Sequence, residues 1–239
     1  MTDDPTGHPP AGHPPAGLDE HLVHREPHPL RHALTGLLLA LTAGAAVWAA
    51  FVGAGPARFD AAALGESVDA RSSGLTAAAA VLTEVGSTVV MGLLAALVAL
   101  WCWRRGRGAD AAFLVGTMAG AVLLFRGIKV LLDRPRPPAA TQVLAETNES
   151  LPSGHATMSM VVIGSLVVLA WAGRSVRGRL VMVAAAALWV GSVGATRVYL
   201  GVHWFSDVLA GWLVGAAWLA LCASAWSWWR RRRLAAATT

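Results

Sequence analysis

Six apolar stretches, at roughly 33–53, 80–103, 110–131, 156–172, 180–196 and 207–229, alternate with short polar connections. This alternation constrains the fold more than any other feature of the chain. A bilayer core about 30 Å thick is crossed by roughly 20 apolar residues in a helix, and each stretch meets or approaches that length. Charge usage agrees, because 14% of the residues are Asp, Glu, Lys or Arg, whereas a soluble domain carries about a quarter. The sequence therefore predicts an all-α protein, a six-transmembrane-helix bundle over 33–229. With 239 residues in all, no room is left for a second sizeable domain.

The placement of arginine orients that bundle. Arg104, Arg105 and Arg107 follow the second stretch, Arg174, Arg177 and Arg179 follow the fourth, and Arg230 to Arg233 follow the sixth. If six helices alternate, all three clusters fall on one side, and basic loops mark the cytoplasmic side. Both termini are then cytoplasmic. The connections 54–79, 132–155 and 197–206 lie at the opposite, outer face, as expected of a bacterial inner (plasma) membrane protein whose site faces the periplasm or exterior. Trp226, Trp228 and Trp229 suit an inner interfacial belt, and Trp204 with Phe205 an outer one. Arginines held in short clusters between apolar segments argue against a nucleic-acid partner, despite the basic pI of about 10.5.

Other features are structural. The Gly116/Gly120 and Gly211/Gly215 pairs have the small-xxx-small spacing of close helix packing. Cys102 and Cys222 both lie in apolar segments, so no disulfide framework is expected. Residues 1–32 contain a Gly-His-Pro-Pro repeat and six of the eight histidines. A segment so poor in apolar residues is expected to be a disordered cytoplasmic tail, its histidines solvated. Residues 230–239 are expected to be a basic cytoplasmic tail. The first apolar run begins only near Ala33, so it reads as a spanning helix and not as a cleaved signal peptide.

The remaining two histidines and the single lysine fall together in the loops of the outer face. Lys129 stands near the end of the third stretch, with Arg126 one turn earlier, and charges at that depth must snorkel or line a polar cavity. Arg134-Pro135-Arg136-Pro137-Pro138 follows, where prolines restrain the backbone that presents the guanidinium groups. An arginine fork matches phosphate oxygens bidentately. Asp133 is expected to pair with one of these cations.

Pro152-Ser153-Gly154-His155 immediately precedes the fourth helix, with Ser153 as N-cap and Gly154 allowing close backbone approach. The first N–H groups of such a helix form an anion site, and His155 stands beside it. Beyond Arg197 come His203 and Asp207, four residues apart, one face of a helix if the sixth helix starts near His203. A carboxylate accepting one imidazole N–H fixes the tautomer and frees the other nitrogen as a nucleophile.

In this order and on one face, these residues resemble the type 2 phosphatidic acid phosphatase superfamily. Its members are integral-membrane lipid phosphate phosphatases that share an active site with vanadate haloperoxidases. The family pattern is Lys-x6-Arg-Pro, then Pro-Ser-Gly-His, then Ser-Arg-x5-His-x3-Asp. It reads here as Lys129-x6-Arg136-Pro137, then Pro152 to His155, then Thr196-Arg197-x5-His203-x3-Asp207. Thr196 is the one departure, and it keeps a hydroxyl.

The resemblance implies that His203 attacks phosphorus to form a phosphohistidine, oriented by Asp207. It also implies that His155 protonates the leaving oxygen and then activates water. Lys129, Arg136, Arg197, Ser153 and the Gly154 N–H are implied to hold the phosphate oxygens. Phosphoryl transfer rests mainly on positioning and charge stabilisation, which three cations and a helix N-terminus supply. No cofactor and no metal are expected, since Glu146 and Glu149 are the only carboxylates of these loops placed for a metal.

The expected function is hydrolysis of a phosphomonoester or diphosphate on a membrane lipid of the phosphatidate, phosphatidylglycerol phosphate or undecaprenyl pyrophosphate type. The bilayer and the lipid phosphate are the partners. Two alternatives share the same residues. One is a phosphotransferase that passes the phosphoryl group to a lipid or sugar acceptor. The other is a non-catalytic lipid-phosphate binding or transport protein, which has no need of the His203–Asp207 pair.

Overall fold

Serine side chains open four of the helices. Each accepts a backbone N–H from three residues on: Leu75 to Ser72, Val90 to Ser87, Ala156 to Ser153 and Gly178 to Ser175. Such caps satisfy donors that the helix itself leaves unpaired, at about 1 kcal/mol each. The computed structural model describes residues 29–236. It contains α1 (Pro29–Phe51), α2 (Asp60–Asp69), α3 (Ser73–Val85), α4 (Thr88–Arg104), α5 (Gly108–Leu132), α6 (Gly154–Ala170), α7 (Val176–Tyr199) and α8 (Phe205–Ala236). Two 3-10 turns, Gly55–Phe59 and Ala139–Thr141, lie between them, and no strand occurs among the described residues.

Helix α6 is the centre of the bundle, flanked by α4, α5, α7 and α8. Met158, Val161 and Val162 of α6 are buried with Met91 and Ala95 of α4 and with Ala121 and Phe125 of α5. Small residues let α8 press against it. A Cβ on Gly211 would lie 2.8 Å from the Ser153 carbonyl oxygen, and one on Gly215 would lie 2.9 Å from that of Thr157. Gly120 of α5 makes the corresponding room for the Trp218 ring of α8, whereas a side chain at Gly116 would meet nothing within 4 Å.

Many large apolar side chains face outward. Leu123, Val130, Leu131 and Leu188 all stand at least 73% exposed. Large apolar side chains exposed on long apolar helices belong against lipid. Helices α1, α5, α7 and α8 are each long and apolar enough to cross a bilayer. Helices α3 and α4, bent by 44° at their junction, make a fifth crossing if the pair is one span. The chain is an integral membrane protein. At one end of α8 the arginines of the Trp226–Arg233 segment cover its indoles, with Arg232 3.9 Å from the Trp228 ring centroid and Arg230 4.8 Å from that of Trp226.

Several elements differ from the sequence reading. The second stretch is interrupted at Gly86-Ser87, where the chain breaks, Ser87 caps α4, and a Cβ on Gly86 would meet Val193 at 2.6 Å. The connection 54–79 is largely helical, holding a 3-10 turn, all of α2 and the first half of α3. Alanine-rich runs at 61–63 and 77–80 favour helix there without the length of a span. Helix α6 is apolar but has only 17 residues, short of the length the other crossings reach. Helix α8 continues through Arg230 to Arg233 and on to Ala236, so the basic segment is helical. Residues 1–28 of the expected tail lie outside the described residues, whereas Pro29 to His32 already belong to α1.

Candidate active site

His203 is delivered by the turn between α7 and α8. Gly201 stands at φ 71°, a left-handed conformation that glycine adopts without strain. From there the N–H groups of Val202 and His203 both donate to the Arg197 carbonyl oxygen, at 3.1 and 3.2 Å. The turn is pressed so closely onto the neighbouring loop that a Cβ on Gly201 would lie 2.2 Å from the Thr141 carbonyl oxygen. Replacing Gly201 by Ala is therefore expected to cost at least the 1–2 kcal/mol of a left-handed alanine. A fall in the thermal midpoint of the purified protein checks this, with loss of activity in step.

The imidazole is buried, with Nδ1 3.4 Å from Asp207 Oδ2 and Nε2 3.2 Å from an Arg136 guanidinium nitrogen. Arginine has no acceptor, so Nε2 presents a lone pair and the proton resides on Nδ1, facing the carboxylate. Helix α8 begins at Phe205, two residues past His203, so the pair does not share a helical face as the sequence reading supposed. Asp207, fully buried, instead reaches back over the helix start. Its Oδ2 accepts the Trp204 N–H at 2.9 Å as well as facing His203.

Three cations line the same cavity as the His203 ring. Lys129, in the last turn of α5, donates to the Glu149 carbonyl oxygen. Arg136 donates to the Val202 carbonyl, to the Asn148 carbonyl at 2.6 Å and to the Asn148 side chain. Arg197 lies in the last turn of α7, 1% exposed, and donates to Thr83 Oγ1 at 2.9 Å and to Glu146 Oε1 at 2.6 Å. Its Nε is buried without an acceptor among the described residues. Glu146 also reaches Arg136 at 3.6 Å, so one carboxylate bridges two guanidinium groups.

Ser153 and Gly154 start α6 as expected. Ser153 is fully buried, its Oγ 3.5 Å from the Ala156 nitrogen, and its own N–H donates to the Asp207 carbonyl at 3.1 Å. A Cβ on Gly154 would press on the Phe125 ring at 3.2 Å, so the residue serves close helix packing as well. His155 follows on the first turn.

Lys129, Arg136, Gly154, His155, Arg197 and His203 line one cavity of about 150 Å³, closed by Glu146 and Asn148 and reaching Thr88 and Arg126. A pocket with an imidazole lone pair, a second imidazole and three fixed cations is equipped to hold a phosphoryl group and attack it.

Burial pushes the His203 pKa well below the usual 6.5, and the positive charges of Arg136, Arg197 and Lys129 push it further. Burial likewise lowers that of Arg136, opposed by Glu146 and Asp207. The folded protein thus resists protonating His203, whereas the unfolded chain takes up that proton near pH 6.5. Stability contributed this way is present above about pH 6.5 and is lost as pH falls below it. Thermal midpoints measured between pH 5 and pH 8 are expected to drop on the acid side, and less so in His203→Gln.

Among comparisons with known proteins, the model of the PAP2 superfamily matches residues 110–232. This chain belongs to the PAP2 superfamily. Two solved structures resemble this PAP2 protein in fold. One is the crystal structure of the first transmembrane PAP2-type phosphatidylglycerolphosphate phosphatase from Bacillus subtilis, with a TM-score of 0.62 and 24% identity over 81% of this chain and 93% of that one. The other is Aquifex aeolicus LpxE, with a TM-score of 0.53 and 20% identity over 70% of this chain and 94% of that one. No curated protein matches the sequence.

All eight residues expected from sequence gather around this one cavity, with Asp207 and Ser153 behind its wall. Four further residues take part in ways that the sequence alone does not assign them. Arg134, two residues before Arg136, holds Asp207 Oδ1. Its other ion-pair partner is Asp60, and the ion pair expected of Asp133 is not formed; that residue is exposed, in a left-handed C-cap. Thr83 and Asp60 come from α3 and α2, outside the 110–232 match; Asp60 lies in the connection 54–79, which carried no signal, and Thr83 in the second apolar stretch. Glu146 was weighed only as a metal ligand, yet it pairs with arginines. For Arg134 the signal was available, because it shares the proline-restrained segment with Arg136.

Proposed function

We propose that this PAP2 protein hydrolyses a phosphomonoester or diphosphate on a membrane lipid through a phosphohistidine formed on His203. The observation that carries the reading is the orientation of that imidazole. Its Nε2 lone pair faces Arg136 at 3.2 Å while its Nδ1 faces Asp207. A phosphoryl group placed among Lys129, Arg136 and Arg197 would meet the lone pair directly.

In the first step the Nε2 pair forms a bond to phosphorus and the bond to the leaving oxygen breaks. His155, which the negative charge of the bound phosphate favours in its protonated form, gives that oxygen its proton. Asp207 balances the positive charge that develops on the His203 ring. In the second step the now neutral His155 takes a proton from water, whose oxygen attacks phosphorus. The N–P bond then breaks and inorganic phosphate leaves. The three cations, the Ser153 hydroxyl and the Gly154 N–H hold the non-bridging oxygens throughout. They supply the charge stabilisation that phosphoryl transfer requires, so turnover is expected without added metal.

The substrate is amphiphilic, of the phosphatidate, phosphatidylglycerol phosphate or undecaprenyl pyrophosphate type. A phosphatidylglycerolphosphate phosphatase of similar fold makes the second of these the first to try. In this reading α6 crosses the membrane together with α1, the α3–α4 pair, α5, α7 and α8. That gives six spans, with both termini cytoplasmic and the cavity at the outer face of a bacterial inner membrane. The positions of Arg104, Arg105, Arg107, Arg174, Arg177 and Arg179 support that orientation.

Phosphate release by detergent-purified protein in EDTA, from one lipid of each type, tests the proposal. Release that requires His203 and persists in EDTA is the expected result. No release from any of them, with labelled phosphate appearing instead on a lipid or sugar acceptor, would replace hydrolysis by phosphotransfer.

A further inference from the structure

We infer that Asp60, Arg134 and Ser206 form a buried relay that sets the position of Asp207 and, through it, the orientation of His203. The inference rests on the phosphohistidine reading above.

The geometry forms a closed ring. One Arg134 nitrogen donates to Asp207 Oδ1 and to Ser206 Oγ, the latter at 2.9 Å. The other donates to Asp60 Oδ2 at 2.8 Å. Ser206 in turn gives its hydroxyl proton to Asp60 Oδ2 at 2.7 Å and its N–H to Asp60 Oδ1 at 2.8 Å. Asp60, Ser206 and Asp207 are all buried. Both carboxylates, the Ser206 hydroxyl and N–H, and both terminal nitrogens of Arg134 have partners in this cluster, as buried ionic groups require.

Charge explains why two carboxylates share one guanidinium. Arg134 is permanently positive. Bonded to Asp207 alone, it would neutralise that carboxylate and weaken its hold on the His203 N–H. Asp60 takes up the Arg134 charge from the far side, so the ring keeps one net negative charge at Asp207, where the imidazole needs it. Ser206 fixes the spacing, bridging Asp60 to the start of α8 one residue before Asp207. Helix α2 thus contributes to the site through its first residue, from outside the segment that the family match covers. Asp60 and Arg134 do not line the cavity, so both are positioning residues.

Asp60→Asn in the full-length enzyme tests this, because the amide keeps shape and removes charge. The loss of an outer partner of a catalytic group is expected to lower kcat about 10- to 100-fold. KM and the competitive Ki of inorganic phosphate report the intact cation cluster, and both should stay within about twofold. Arg134→Lys should recover part of the activity lost in Arg134→Ala.

A kcat within about twofold of wild type would overturn the relay. So would a fall in kcat matched by the thermal midpoint and by phosphate affinity, which would mark Asp60 as merely structural. Should Asp60→Asn fail to fold, Ser206→Ala removes the bridging hydroxyl while keeping both charges, and the same kcat-against-Ki comparison applies. The two readings fail separately. Wild-type release that does not need His203 would sink the phosphohistidine, whereas His203-dependent release indifferent to Asp60→Asn would sink only the relay.

Discussion

Replacing His203 by Ala is expected to abolish phosphate release, lowering kcat by about 10⁴-fold or more, as removal of a nucleophile in a cooperating unit does. The proposed bond to phosphorus is made by Nε2, and the other imidazole lining the cavity among the described residues, that of His155, stands on α6 and not in the turn that carries His203. The cations would remain: Lys129, Arg136 and Arg197 draw their placement from Glu149, Asn148, Glu146 and Thr83. Lipid phosphate binding should therefore persist while turnover disappears. The comparison needs two readouts, binding of a labelled lipid phosphate and release of inorganic phosphate. Release that survives in His203→Ala would exclude the nucleophile assignment. Binding lost together with release would point instead to collapse of the α7–α8 turn.

Replacing His155 by Ala is expected to cost about 10²–10⁴-fold, the range for loss of a positioned acid or base. The size of the loss should depend on the leaving group. An alkoxide needs a proton as it departs, whereas an activated aryl phosphate does not, so the first step should suffer least on the aryl ester. The second step still needs a base. On the aryl ester, then, His155→Ala is expected to accumulate phosphohistidine, visible as acid-labile, base-stable label on the protein. Full activity of this variant on an alkyl phosphate would remove His155 from the mechanism. The first turn of α6 carries no other titratable side chain to take its place.

These expectations draw on parts of the molecule that differ in how openly the sequence declares them. Apolar length and arginine placement are local quantities, so the helical membrane bundle and most of its helix limits were legible in advance. The same holds for the cation and imidazole positions, because Lys129, Arg136, His155, Arg197 and His203 stand in motifs whose spacing survives folding. Ser153 capped its helix as its side chain dictates. Helix α2 was not legible. It is too short to announce a span, and its first residue acts on partners 74 and 146 positions away.

The break at Gly86-Ser87 also escaped the reading, since a continuous apolar run does not disclose that Val193 requires a glycine there. What the sequence by itself determined was the set of chemical groups and the helices that carry them. Only the tertiary structure decided their pairing. It gave Arg134 to Asp207 and Asp60 instead of Asp133, joined Glu146 to two arginines, and placed His203 ahead of α8 instead of on it. The physical reason is that a buried charge must find its partner across the bundle. Which carboxylate answers is settled by packing between distant segments, and no local pattern encodes it.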